Sequence, residues 1–476
     1  MTTVSTPAST AEPAVPVGPG LSVAVLCLGG LIAALTQTFV IPLQGELPVL
    51  LSTSAANASW VITATLLAGA VAMPIAGSLG DLFGKQRVLF ASALILVVGS
   101  LVAALSDSLL PMLAGRTLQG ISMGFIPVAI SLIRDIVPPA RTGTAIAAVS
   151  ATLGVGGAIG LPLSAWIADS YDFHALFWVS TVLAAVVALA VALVIPHVPS
   201  ARGGRLDLVG ALGLAVGLVS VLVAVTKGRE WGWDTARPWT FIGVGLVVLL
   251  AWGRYELSHP APLCDLRVTA RRPVLLTNLA AVAIGFGMMG QAIIVPQLLQ
   301  LPELTGYGLG QSLLAAGLWM APGGLVMMAF APVSSTLMTR YGARVTLAVG
   351  AAVLGSGYLV AVAFHGAPWQ LLVVSCVTSA GVGIGYAAMP ALIMASVPAT
   401  ESGAAVGVNS LMRSVGTTTA SAVMASVLAA SLTDFHGFPV PSEGAMELGF
   451  LIGAGAAFLG VVLTLLIPRR STAAVA

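Results

Sequence analysis

Only 8% of the 476 residues are charged, so the few places where charge falls between apolar runs are where chemistry is to be sought. The stretch GSLGDLFGKQR, residues 77–87, sets Asp81, Lys85 and Arg87 among Gly77, Gly80 and Gly84. Glycines let helix backbones approach closely. A carboxylate beside them can accept from Arg87, from Arg141 further on, or from the free N–H groups that open a helix. Anchoring a tight inner loop would explain the two cations but not Asp81. A second charge, Arg116, precedes Gln119, Gly120, Met123 and Gly124 at spacings of three and four, which puts them on one helical face. A guanidinium at that depth costs several kcal/mol in lipid, so it should face a wet cavity or a partner, or snorkel and pin its helix. Arg413 is the deepest charge; with Asn409 one turn earlier it could address a polar or anionic ligand group, or cap carbonyls of a neighbouring helix.

The elements that must hold these residues are apolar helices. Hydrophobic residues make up 58% of the chain and the mean hydropathy is +1.03, which excludes a soluble globular domain. Runs of the length that crosses a hydrocarbon core recur from 21–43 to 447–468, fourteen in all, and helices are required because lipid offers backbone groups no partner. Longer polar stretches follow the sixth and eighth runs. They divide the chain into a tail over 1–20, a six-helix bundle over 21–196, a linker with two helices over 197–272, a second six-helix bundle over 273–468 and a tail over 469–476. The first twenty residues lack Lys and Arg, hence the basic flank of a signal peptide, and read as a disordered tail.

With both termini cytoplasmic, Lys85, Arg87, Arg134, Arg141, Arg202, Arg205, Arg254, Arg267, Arg271, Arg272, Arg340, Arg344, Arg469 and Arg470 fall inside. Only Lys227, Arg229 and Arg237 fall outside, a fourteen-to-three split that sets the orientation.

RTGTAIAAVSATLGVGG (141–157) aligns with ESGAAVGVNSLMRSVGT (401–417), and LGDLFGKQRV has an echo in LMTRYGARVT (337–346), where Thr339 matches Asp81 and Gly342 keeps the turn. Both pairs are offset by eight helices, a parallel repeat of the first six spans in the last six.

On these residues the chain resembles the major facilitator superfamily: Gly77, Leu79, Asp81, Gly84, Lys85 and Arg87 match its motif between helices two and three. Arg116, Gln119, Gly120 and Gly124 are similar to the fourth-helix motif of its proton-coupled drug antiporters, and fourteen spans fit the branch with two extra central helices. The resemblance implies a latch of Asp81, Arg87, Asp135 and Arg141 on the cytoplasmic side, with Gly77, Gly84 and Lys85 in its turn, and proton coupling at Arg116. It also implies a central cavity lined by spans one, four, nine and twelve. There the candidates are Gln37, Thr38, Gln119, Met123, Asn278, Met288, Gln291 and Tyr386, with Asn409 and Arg413 from span thirteen; inter-helix bonding or packing competes at each. Gly156, Gly160 and Pro162 would bend span five, although the order GLPLSA departs from the family's Gly-Pro followed by Gly-Gly.

Thr36 stands where that branch commonly carries an aspartate, and no Asp or Glu lies deep in any span. Glu46, Asp81 and Asp207 at span ends are the remaining proton carriers, and Glu46 is placed to reach a cavity near Arg116. The phosphate-loop spacing, HExxH and GxSxG are absent, the five histidines sit in loops or at helix ends, and the three cysteines are far apart. No ATP-driven, enzymatic, metal or cofactor chemistry is expected, and a net charge of +2 gives no reason for a nucleic-acid partner.

The sequence therefore reads as a monomeric, all-α plasma-membrane protein that exports small, mostly hydrophobic molecules against protons. A facilitator, importer or single-metabolite exporter, and a non-transporting sensor or scaffold, stay open.

Overall fold

With no water to satisfy backbone groups along apolar runs, the chain folds almost wholly into helices. The computed structural model describes residues 18–468 except 42, 44, 45, 201–205, 261, 436 and 437. Most of both expected tails, and Arg202, Arg205, Arg469 and Arg470, lie outside the described residues. In chain order the long helices are α1 Pro19–Thr38, α2 Trp60–Phe83, α3 Lys85–Ala104, α4 Leu109–Ile121, α5 Phe125–Ile136, α6 Pro139–Ser170, α7 His174–Val194, α8 Leu208–Trp231 and α9 Ala236–Ser258. They continue with α10 Arg272–Gln300, α11 Leu313–Ala329, α12 Ala331–Ala363, α13 Pro368–Gly385, α14 Ala388–Ser396, α15 Ser402–Ala430 and α16 Glu443–Leu465. A short hairpin, β1 Leu432–Phe435 paired with β2 Phe438–Pro441, joins the last two helices.

Among the described residues twelve segments are long and apolar enough to cross a membrane, against the fourteen expected. The difference has a local cause. Leu313–Ala363 counts once although it is 51 residues long, about twice what a bilayer needs, and its backbone breaks inside α12 at Gly342 (φ 82, ψ 160). α15 falls outside the twelve; its interior carries Asn409, Arg413 and a run of hydroxyl residues from Thr417 to Ser421.

The turn between α2 and α3 uses the same device. Gly84 has φ 97 and ψ 132, a region that side chains with a Cβ rarely adopt, and Gly342 occupies the equivalent place in the second half. The sequence echo between LGDLFGKQRV and LMTRYGARVT is thus an echo of backbone geometry.

α1 packs on α6 and α7, and α3 on α4 and α7, around two cores that include Leu26, Leu89, Ile133 and Phe177. In the second half α10 packs on α15 and α16, and α12 on α13 and α16, around Ile284, Tyr358, Met389 and Phe450. The halves meet along two seams, α2 against α15 and α6 against α11, which the internal repeat relates to each other. α8 lies over the first seam, where Leu214 and Leu218 join Leu67 and Ala70 of α2 and Val408 and Leu411 of α15. Among the long helices α9 packs chiefly on α8, and 11% of its apolar window is buried, so its surface is left for lipid.

Replacing Gly84 or Gly342 by Ala forces a Cβ into a disfavoured backbone region and should cost about 1–3 kcal/mol each. Gly143→Ala, in a regular helix with the nearest atom 3.6 Å from the new methyl, should cost nothing or stabilise slightly. Unfolding in detergent followed by tryptophan fluorescence compares the three; equal losses would refute the backbone argument.

Candidate functional site

α15 begins at Ser402, so the N–H groups of its first turn have no partner within the helix. Asp81, near the end of α2, accepts from two of them: Gly403 N at 3.1 Å to Oδ1 and Ala404 N at 3.0 Å to Oδ2. A carboxylate at that position also meets the positive end of the helix dipole. The contact exists because two glycines face each other. A Cβ on Gly77 would overlap the Gly403 carbonyl, and one on Gly403 would lie 2.5 Å from Gly77 O and 2.8 Å from Asp81 Oδ1.

Lys85, 4% exposed, closes the same node from α3. Its Nζ donates to Asp135 Oδ2 at 2.5 Å, Ser131 O at 3.2 Å and Ser402 Oγ at 3.4 Å, and Ser131 and Ser402 share a 2.8 Å hydroxyl bond. Of the three acceptor arrangements open to Asp81 in the sequence, the helix N-terminus is the one formed. Arg87 and Arg141 are exposed and make no ion pair among the described residues, so Lys85, not Arg87, is the cation of the cluster. The turn at Gly84 directs Lys85 between α5 and α15, and Arg87, two residues and about 200° further round the helix, points away. Glu401 does not compete, for its side chain caps nothing. In the second half Thr339 turns back to Ser335 O of its own helix at 2.8 Å, and the second seam closes instead through Thr144 Oγ1 and Ser335 Oγ, 2.5 Å apart.

Arg116 is 1% exposed and ties four helices together. Nε donates to Val61 O of α2 at 3.2 Å, and Nη1 donates to Thr36 O of α1 at 3.1 Å and to Gln119 Oε1 at 2.7 Å. Gln119 passes the link to Ser100 Oγ of α3 at 2.8 Å, while Nη2 is buried without a partner. Glu46 is not brought to it. α1 ends at Thr38, and Glu46 lies beyond, exposed, at the start of the four-residue turn Leu47–Leu50. With threonine at position 36, a main-chain carbonyl takes the place a carboxylate could have had.

A cavity of about 360 Å³ lies between the halves, away from the Asp81 node. It runs from Gly154, Met327 and Val382 to Gln300, Leu313 and Leu314 at the opposite ends of α10 and α11. Thr38, Met288 and Gln291 line it, as does Pro162. The other expected cavity residues are used elsewhere. Gln37 bonds Met123 Sδ, Asn409 Nδ2 donates to Asn278 Oδ1 at 2.9 Å, and the Arg413 guanidinium sits 4.4 Å above the centre of the Tyr386 ring.

The reason is close packing of α10 on α15. A Cβ on Gly285 would overlap Arg413 O and one on Gly416 would overlap Val282 O, so polar groups on these faces find each other before they find the cavity. Gly156 and Gly160 likewise serve contact: a Cβ on either would overlap Ala34 or Thr38 of α1, and α6 runs helical through Pro162 to Ser170. The wall missed in the sequence is α11, with Gly317, Met320, Ala321 and Gly324. Their spacing of three, four and seven, small residues around a methionine, was the signal available.

Asp81→Asn removes a charge-assisted bond to α15 and should open the node; with native cysteines replaced, maleimide labelling of Ser335→Cys should rise about tenfold or more. An unchanged rate would show that Asp81 does not hold the seam. Arg116→Ala leaves the Thr36 carbonyl and Gln119 Oε1 without the donor they share, at about 1–3 kcal/mol each, so thermal unfolding in detergent should come markedly earlier, and Arg116→Lys should recover little.

Two solved structures share this arrangement of helices. The human organic anion transporter MFSD10 (TETRAN) superposes with a TM-score of 0.66 at 16% identity, over 95% of this chain and all (100%) of that one. The proton:xylose symporter XylE gives 0.66 at 14% identity, over 94% of this chain and 96% of that one. Among curated relatives, the uncharacterized MFS-type transporter YhcA of Bacillus subtilis is 25% identical over 68% of this chain and 60% of its own length. The uncharacterized MFS-type transporter Rv1877 of Mycobacterium tuberculosis is 30% identical over 64% and 44%, and the multidrug resistance protein Stp of the same species 26% identical over 79% and 69%. The matches thus span about half to two thirds of these relatives' length. The family model of the Major Facilitator Superfamily matches residues 26–421 and matches again over 306–476, and the chain, a multi-pass membrane protein, belongs to that superfamily.

Proposed function

We propose that this transporter exports small, mostly hydrophobic molecules by alternating access, driven by protons moving the other way. The cavity carries the reading. It is lined largely by apolar and small residues, with the adaptable methionines Met288, Met320 and Met327 in its wall, and Gln291 and Thr38 as isolated polar points. The Asp81–Lys85 node closes the end that carries most of the basic loops, so under the positive-inside rule the cavity faces outward and the node is the cytoplasmic latch.

The proposal includes fourteen crossings, with Leu313–Ala363 folding back at Gly342 and α15 supplying the remaining one. It further includes two six-helix bundles over 21–196 and 273–468 joined by 197–272, both termini cytoplasmic, and a monomer in the plasma membrane. The multidrug names of relatives such as Stp and MdtP accord with a hydrophobic substrate class.

Vesicles reconstituted with the protein and given a pH gradient should accumulate lipophilic dyes, and Arg116→Ala should not. Gly317→Phe fills open space at the cavity wall, where no atom lies within 4 Å of the new Cβ, and should cut transport of bulky dyes severalfold without loss of fold. Gradient-independent movement would overturn antiport, and failure of a broad ligand panel would favour a dedicated single-substrate exporter.

A further inference from the structure

Neither the latch nor the cavity uses the far end of the second half. α15 begins at the Asp81 node and ends at the β1–β2 hairpin, which leads into α16, so the first residues of α16 lie at the end of the molecule opposite the node. α12 runs antiparallel to α16: near its start Arg344 Nε donates to Thr464 O at 3.3 Å, and just past its end stands His365. There, among the described residues, one ligand atom from each of His365, Glu443 and Glu447 lies within 4.8 Å of the other two.

Each of these side chains is held by an element that has its own reason to be in place. The last carbonyls of α12 have no partner within the helix, and His365 Nδ1 donates to one of them, Ala361 O, at 2.9 Å. A carbonyl only accepts, so Nδ1 carries a ring proton and Nε2 is the coordinating nitrogen of the neutral ring. Nε2 points at Glu443 Oε1, 3.2 Å away, so that two acceptors face each other and a cation belongs between them. The histidine side chain is 11% exposed, and its ring is backed by Phe450 at 6.5 Å between centres. Glu443, Glu447 and Phe450 follow at spacings of four and three, on the face of α16 where Phe450 meets Tyr358 of α12. Helix capping does not account for the two acids. Ser442 already caps α16, its Oγ accepting from Ala445 N at 3.2 Å, and Glu447 lies past the first turn, where the pull of the helix dipole has faded.

We propose that His365, Glu443 and Glu447 bind one divalent transition-metal ion of the zinc type, which clamps the end of α12 to the first turns of α16. One imidazole with two carboxylates suits zinc and its neighbours, whereas Mg²⁺ and Ca²⁺ take oxygen ligands. The 3.2 Å between Nε2 and Oε1 is close to the edge of roughly 3.4 Å in a tetrahedron whose bonds are about 2.1 Å. The bond from Nδ1 to Ala361 O is the outer contact by which metal-bound histidines fix ring and tautomer. Glu443 is exposed, so the ion has a path from solvent, and water takes the fourth position. A protonated His365 paired with Glu443 alone is the competing arrangement, and it gives Glu447 no part.

The first half shows the same kind of contact without convergence. His174, which opens α7 as Glu443 opens α16, meets Asp107 of the α3–α4 loop through Nε2 at 3.4 Å and Asp172 through Nδ1. Its two carboxylates lie on opposite ring nitrogens, which point apart, so one ion does not reach both. In the second half the clamp joins two helices without touching the cavity or the Asp81 node, and it is independent of the antiport reading.

Titration of the full chain, purified in detergent, stripped with a chelator and free of any histidine tag, tests the site with Zn²⁺ and with Co²⁺ as a visible probe. The wild type should bind one ion per chain with a micromolar or tighter Kd, its thermal midpoint should rise as the site fills, and Zn²⁺ should abolish the absorption of bound Co²⁺. His365→Gln and Glu447→Gln should each weaken binding about tenfold or more and lose the thermal shift, whereas His174→Gln should change neither. Glu447→Gln is the decisive variant, because a simple pair of His365 with Glu443 would not respond to it. A wild type that takes up no Zn²⁺ below the millimolar range, binding that survives both substitutions, or displacement by Ca²⁺ at equal concentration overturns the proposal. If His365→Gln fails to fold, Glu447→Gln, at a half-buried position, still decides.

Discussion

One carboxylate on the first N–H groups of one helix joins the two halves of this molecule at one end. The bonds from Gly403 and Ala404 to Asp81 join α2 to α15, one from each half, at a point where the facing glycines 77 and 403 have already brought the backbones together. Neither feature suffices alone. Without the glycines the carboxylate could not reach the orphan donors, and without the carboxylate the close approach would leave those donors buried and unsatisfied. Lys85 and Asp135 extend the node to α3 and α5, so that the end of the first half docks as a unit. The cavity opens where this constraint is absent.

The second half lacks an equivalent. Thr339 matches Asp81 in sequence but spends its hydroxyl on its own helix, and α6 meets α12 through the neutral pair Thr144 and Ser335. The two seams therefore share geometry but not energetics: one is charge-assisted, the other held by packing and a single hydroxyl bond. Asymmetry of this kind gives a two-fold architecture a preferred point of release.

Arg116 illustrates a different use of buried charge. Its guanidinium is satisfied mainly by main-chain carbonyls of α1 and α2 and by Gln119, which makes it a strut across four helices. Its Nη2 is buried without a partner and is left for a further acceptor.

The helices, their approximate ends, the internal repeat and the turns at Gly84 and Gly342 were legible in the sequence, because apolar length and glycine position are local properties that lipid and backbone sterics translate directly. So was the need of Asp81 and Arg116 for partners, since an ionised group between apolar runs must find one. Which partner was not legible. Arg87 and Lys85 are two residues apart, and only the path of the chain after Gly84 decided that Lys85 turns inward. Asn278, Asn409, Tyr386 and Arg413 look like cavity residues when read singly; the tight contact of α10 on α15 pairs Asn278 with Asn409, and Arg413 of α15 stacks on Tyr386 at the end of α13. The wall formed by α11 and the meeting of His365 with Glu443 and Glu447 belong to the tertiary structure alone, because they depend on helices distant in sequence coming side by side.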